Sequence, residues 1–275
     1  MYEDEQIRNI ACLALARSAP KANYLDIGAL GGPDSDSLKY LMKKDAIDFF
    51  GIEPDPAECA NLSHHFPGAT FLPYAVADQE GTRTFYKTNA NVCCSCLEPN
   101  MELLAKYPIR AWFHVSGTSQ IDVTTVQSLI DKGLLPQPHF IKSDVQGLDY
   151  EVLVGCGPYL DSVVGIELEA QFAEIYKGQK LLFDIIQYLN KRGFVLRHLS
   201  NAGPYEHELL ECNAFFSRSP NDPSVNIFQL KLWEFMCKIN SPASLGQLKT
   251  RGLLGENAFA LVEQSQLERL LGDVT

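Results

Sequence analysis

The chain has 275 residues, 46% hydrophobic and 21% charged, with a formal net charge of −11; that apolar content can bury a sheet and sets disorder aside, and the length suits one α/β core with an appendage. The acidic balance opposes nucleic acid, whose affinity is built by Lys and Arg displacing counterions. No apolar run reaches the ~20 residues of a bilayer crossing, and the acidic start Met1-Tyr2-Glu3-Asp4-Glu5 is unlike the basic-then-apolar secretory signal, so a cytoplasmic protein is expected.

Short β-branched and aromatic runs alternate with helix-period segments, the pattern of βα units and a mainly parallel sheet. After an N-terminal helix within residues 1–22, a first strand is expected over Tyr24–Gly28, then a glycine-rich turn and a helix near Ser35–Lys44. A second strand, Asp48–Glu53, leads to a helix starting around Pro56 with Asp55 as its cap. The third strand is expected at about Thr70–Ala77, followed by Gly81–Tyr86, which alternates like an antiparallel edge strand. From Lys87 to Ile121 the pattern breaks into an irregular excursion of the length that usually carries function, here contacts to a substrate.

Order returns with strand four (His139–Asp144), a helix over Tyr150–Val154 and strand five (Ser162–Glu169). A helix marked by Leu181, Ile185, Tyr188 and Leu189 stops at Gly193, and strands Phe194–Leu199 and Glu211–Arg218 complete seven. Pro220 and Pro223 mark a boundary between residues 1–219 and a helical extension over 220–275, in which Phe228, Leu232, Phe235 and Ile239 recur at helical spacing and Phe259, Val262 and Leu270 suggest a further helix. Such a face serves as a brace on the same core or, as the second reading, as a homodimer contact.

The chemistry is concentrated around Leu25-Asp26-Ile27-Gly28-Ala29-Leu30-Gly31-Gly32, where a first strand turns into a helix and glycines let the backbone approach a ligand. Gly51-Ile52-Glu53-Pro54 ends the next strand in a carboxylate suited to ribose hydroxyls, so the two features together imply an adenosine-type ligand. A dinucleotide turn needs a glycine at position 30, which is Leu, while Asp26 suits a ligand carrying an ammonium and a sulfonium. Lys142, Asp144, Asp149, Glu167 and Glu169 fall at the carboxyl ends of two central strands, where open α/β sheets bind ligands. The eight cysteines read as reduced thiols, and Cys93-Cys94-x-Cys96 lacks a second ligand pair, so no metal is expected.

From Tyr24 to Phe216 the sequence resembles the FkbM family of methyltransferases. The resemblance is carried by Asp26-Ile27-Gly28-Ala29 with Gly32, Gly51-Ile52-Glu53-Pro54, Ala75-Val76-Ala77-Asp78, Val123-x-Thr125-Val126, Ile141-Lys142-Ser143-Asp144-Val145-Gln146-Gly147 and Ile166-Glu167-Leu168-Glu169 with Tyr176. It implies a class I methyltransferase, a Rossmann-like seven-stranded α/β sheet with helices on both faces, that uses S-adenosyl-L-methionine. Asp26, Gly28 and Gly32 would then shape the methionine side of the cofactor pocket, with Glu53 on the ribose and Asp78 near the adenine, and Ala29, Gly31, Ser35, Pro54 and Ala77 are the further cofactor-binding candidates. Asp144, Lys142 and Glu169 are the candidate catalytic residues, and the expected acceptor is a hydroxyl of a small molecule such as a carbohydrate. The alternatives are a nicotinamide-dependent oxidoreductase and a methyltransferase-like protein that binds without turnover. Leu30, Asp149 and the three cysteines depart from the family pattern.

Overall fold

The computed structural model describes residues 2–201, 205 and 208–239. Seven strands form the main sheet: β1 (Ala22–Ile27), β2 (Ile47–Ile52), β3 (Ala69–Leu72), β7 (Phe140–Ser143), β8 (Gly165–Gln171), β9 (Phe194–Asn201) and β10 (Glu211–Arg218). Their order is β3-β2-β1-β7-β8-β10-β9, and only β10 runs against its neighbours. The chain winds outward from β1 through β2 to β3 and then returns to the other side of β1 as β7. The crevice beyond the carboxyl ends of β1 and β7 is therefore a topological switch point, the place where such sheets bind ligands.

Helices α1 (Tyr2–Arg17), α2 (Asp36–Lys43), α3 (Pro56–His65) and α8 (Ile227–Met236) cover one face. Helices α5 (Val126–Asp131), α6 (Asp149–Gly155) and α7 (Leu182–Asn190) cover the other. Local chemistry starts several of them. Ser35 caps α2 by accepting from Leu38 N at 3.2 Å, and Asp55 caps α3 by accepting from Ala57 N at 2.9 Å with Pro56 in the first turn. Thr125 caps α5, and Asn226 caps α8 by accepting from Phe228 N and Gln229 N. Such caps contribute about 1 kcal/mol each.

Alternate residues of β1, β7 and β10 fill the first face with aromatics: Tyr24 stacks on Phe49 at 5.9 Å, and Phe215 meets Trp233 of α8 at 6.5 Å. Trp233 lies so flat on Gly165 that a Cβ at that position would come within 2.3 Å of the ring. Leu230, Leu232, Phe235 and Met236 are buried beside it, so the apolar side of α8 is covered within the chain although α8 follows the Pro220–Pro223 boundary. The further helix expected around Phe259, Val262 and Leu270 lies outside the described residues.

Two expectations are corrected. The stretch expected as one strand over Thr70–Ala77 is split at Pro73-Tyr74 into β3 and β4 (Ala75–Val76). The excursion expected to be irregular to Ile121 contains β6 (Val115–Thr124), which pairs antiparallel with β5 (Gly81–Thr88) and parallel with β4 in a second, three-stranded sheet. Residues 91–113, with the short helix α4 (Met101–Leu104), pack Cys93, Leu104, Tyr107 and Phe113 against Ile175, Tyr176, Tyr205 and Leu210, forming a cap beyond the carboxyl end of β8 and the amino end of the antiparallel β10. No helix among the described residues is long and apolar enough to cross a membrane.

Candidate active site

The turn after β1 borders the switch crevice directly. Gly28, Gly31 and Gly32 all have φ near +80°, a region that favours glycine. At Gly28 a side chain is also excluded by space, because a Cβ there would fall 2.0 Å from the Asp144 carbonyl oxygen. The ends of β1 and β7 thus meet backbone to backbone, with Gly28 N held by Ile52 O and Asp144 N by Ile27 O. Ala29 is buried, Gly31 and Leu30 are exposed, and the Ser35 hydroxyl serves as the cap of α2.

Asp26, Lys142 and Glu167 stand side by side in one row across β1, β7 and β8. Asp26 is 1% exposed and neither of its carboxylate oxygens has a hydrogen-bond partner. Its counter-charge is the Lys142 ammonium at 3.6 Å, which lies closer, at 3.2 Å, to Asp34 of the glycine-rich turn. Burial is the main force that lifts the Asp26 carboxyl from 3.8 to about 7, against the pull of Lys142. Burial works to lower Lys142, but the surrounding acids Asp26, Asp34, Asp144 and Glu167 outweigh it and hold the ammonium charged. Glu167 is raised to about 7, again chiefly by burial. Lys142, expected beside the reacting atoms, is therefore engaged in tying the turn to the strand.

Glu53 is buried at the end of β2, where its Oε1 accepts from Asp55 N at 3.0 Å, and burial raises its pKa. Pro54 is half-buried beside it. Ala77 is fully buried and packs its carbonyl against Gly155, while Asp78 pairs with Arg83.

A second carboxylate group gathers on the acceptor side. Gln146 Nε2 donates to Asp144 Oδ1 at 2.6 Å and to Glu169 Oε2 at 2.7 Å, which brings these two candidates together. Burial, then the charges of Asp144, Glu211 and Asp149, drives Glu169 well above the usual carboxylate range. Glu211 is raised to about 7 by burial and by Asp144, partly offset by the Tyr205 hydroxyl that donates to it at 3.3 Å. Asp149, at the start of α6, is fully enclosed: Oδ1 accepts from Ser143 Oγ at 2.6 Å, Oδ2 has no partner, and burial lifts the group to about 7.

Sequence reasoning alone did not single out Gln146, Glu211, Tyr205 or Asp34. Glu211 had a readable signal, a carboxylate opening a strand whose middle, Ala214-Phe215-Phe216, is apolar. The cysteines belong to the cap: Cys93 is buried, which pushes its thiol up to about 12, and Cys94 Sγ lies 3.4 Å from Thr88 N. Among the described residues, no three His, Cys, Asp or Glu side chains converge as metal ligands. His139 lies at the opposite, amino end of β7, where its Nδ1 accepts from Asn23 N.

The arrangement fits an adenosyl sulfonium ligand. A buried carboxylate lacking hydrogen bonds sits beneath a turn that excludes a side chain at Gly28, and a second carboxylate with one oxygen to spare closes the next strand. The sequence pattern described as the methyltransferase FkbM domain matches residues 26–196, more than half of the chain. The chain belongs to the FkbM methyltransferase family. This FkbM methyltransferase uses S-adenosylmethionine, and the nicotinamide reading falls away. It is similar to the 2-O-methyltransferase NoeI of Sinorhizobium fredii, at 25% identity over 180 residues, 62% of this chain and 72% of that one. Among solved structures it is similar to a TehB-like S-adenosylmethionine-dependent methyltransferase from Corynebacterium glutamicum, at 15% identity over 76% of this chain and 88% of that one, with a TM-score of 0.34. Magnesium protoporphyrin IX methyltransferase from Synechocystis is 12% identical over 79% and 80% of the two chains, with a TM-score of 0.38.

Proposed function

We propose that this methyltransferase acts on a hydroxyl oxygen of a sugar or similar small polyhydroxylated molecule, with Asp144 orienting the hydroxyl and accepting its proton. The observation that carries this reading is the Asp144–Glu169 pair, set at the carboxyl edge of β7 and β8 with Asp144 in backbone contact with Gly28. A carboxylate there meets a hydroxyl on the side of the crevice away from Glu53, so adenosine and acceptor have separate ends. The activity for which NoeI is named, 2-O-methyl transfer, supports oxygen as the acceptor atom.

S-adenosylmethionine supplies an electrophilic methyl group when bound. The protein's share is alignment, exclusion of water and removal of one proton. Positioning alone can lower such barriers by up to about 7–11 kcal/mol, and a positioned base adds about 10²–10⁴-fold in rate. Asp26 and Glu53 would bind the donor, Lys142 and Asp34 would fix the turn around it, and Asp78 with Arg83 would border its adenine end.

A screen of hydroxylated metabolites for S-adenosylhomocysteine release tests the substrate class; tight cofactor binding with no turnover on any of them would favour a binding protein instead. With an acceptor identified, Asp144→Asn should keep cofactor affinity within about threefold and lower the single-turnover rate by about 10²-fold or more. A wild-type rate would remove Asp144 from the chemistry.

A further inference from the structure

Gln146 follows Asp144 by two residues in the turn between β7 and α6 and adopts φ 55°, a left-handed conformation that non-glycine residues keep only where surrounding contacts hold it. Three groups of contacts do so. Its backbone carbonyl accepts from Ser95 Oγ of the cap at 2.7 Å. Its side-chain Oε1 accepts from Tyr176 OH at 2.8 Å, a hydroxyl that also lies 3.0 Å from the Cys93 carbonyl. Its Nε2 uses both hydrogens, one on Asp144 and one on Glu169. In this orientation the amide oxygen meets the phenol and its NH₂ meets the two carboxylates, so each end of the amide has a partner of the opposite kind.

We propose that Gln146 is a positioning residue for methyl transfer: its amide clamps Asp144 and Glu169 together and ties the pair to the cap, so that the two carboxylates act as one proton acceptor. The proposal rests on the reading that Asp144 receives the acceptor's proton. As the new oxygen–carbon bond forms, the carbon–sulfur bond breaks with its electron pair passing to sulfur, and the hydroxyl proton moves to the pair. For that, the pair must hold one proton rather than two beforehand. Glu169 faces Asp144, Asp149 and Glu211, with Tyr176, Tyr205 and Cys93 on the cap side, and none of these is a cation. The two N–H bonds from Gln146 favour the ionised form, because hydrogen bonds donated to a carboxylate stabilise its charge.

The test is carboxyl carbon NMR of protein labelled at Asp and Glu side chains and saturated with S-adenosylhomocysteine, titrated for wild type, Gln146→Met and Tyr176→Phe. Methionine keeps the side-chain length and removes both donors. The lower of the two titration steps of the Asp144–Glu169 pair should rise by about one unit or more in Gln146→Met, and by a smaller amount in the same direction in Tyr176→Phe, which frees the far end of the amide. A pair titrating as in wild type in a folded Gln146→Met protein would overturn the proposal. If that variant does not fold, Tyr176→Phe decides: an unmoved lower step overturns it and a raised one supports it. The measurement needs no acceptor, so failure of the hydroxyl-transfer reading shows separately, as full turnover by Asp144→Asn. In turnover, the acidic limb of the kcat–pH profile should move with the titration, a change that loss of packing alone would not produce.

Discussion

Asp26 has no hydrogen-bond partner, stands 3.6 Å from one ammonium, and is almost wholly enclosed. Its pKa near 7 sets a sign. Between its ordinary 3.8 and about 7, the folded apo protein keeps a proton that the unfolded chain has lost, so this contribution to stability is present at the acid end and is lost as pH rises through about 7. A bound cation favours the ionised form and works in the opposite direction. Affinity for S-adenosylmethionine should therefore fall as pH drops below 7, by up to about tenfold per unit, and Asp26→Asn should bind weakly with a flat profile. Calorimetry at pH 6, 7 and 8 checks this, and a flat wild-type curve would separate Asp26 from the ligand. Asp26, Glu53 and Asp144 could be picked out as candidates in the sequence because each lies within one residue of a strand's end beside a recognisable turn. Gln146 was not legible: its role depends on a positive φ and on partners such as Ser95 and Glu169, 51 and 23 residues away, that no local pattern reveals.

At the level of elements, the strand-to-helix turns were readable because their chemistry is local: Asp55 before Pro56, Ser35 before α2, glycines after β1. β6 was not, because six of its first seven residues are exposed and a strand without an inward face carries no alternation; only its register against β5 defines it. The glycines of the first turn divide by what surrounds them. Gly28 and Gly31 share φ +81°, but a Cβ on Gly28 meets the Asp144 carbonyl at 2.0 Å while one on Gly31 meets nothing within 4 Å. Gly31→Ala should thus cost only the backbone term, about 1–3 kcal/mol. Gly28→Ala adds an overpacking term of about 1–3 kcal/mol more and pushes β7 away from β1 at the crevice. Denaturant melts and S-adenosylhomocysteine calorimetry on both variants check this; equal losses would mean that the β1–β7 contact is not rigid.

On the scale of the whole molecule, one face of the sheet is sealed by both ends of the described chain, with α1 against α8 and Trp233 flat on Gly165. Trp233→Ala should cost about 3–5 kcal/mol, as expected for a fully buried aromatic, and urea unfolding should show it in the midpoint with little change in slope. A loss below about 1 kcal/mol would mark α8 as an ornament on a core stable without it. This closure also bears on biosynthesis. Domains emerge from the ribosome amino end first, at about 5–20 residues per second. Through all of that time Phe215 and the sheet surface at Gly165 wait for a helix that begins at Ile227. The nascent chain therefore presents this part of the sheet face uncovered until α8 has been made, and that is the interval in which a chaperone would find it.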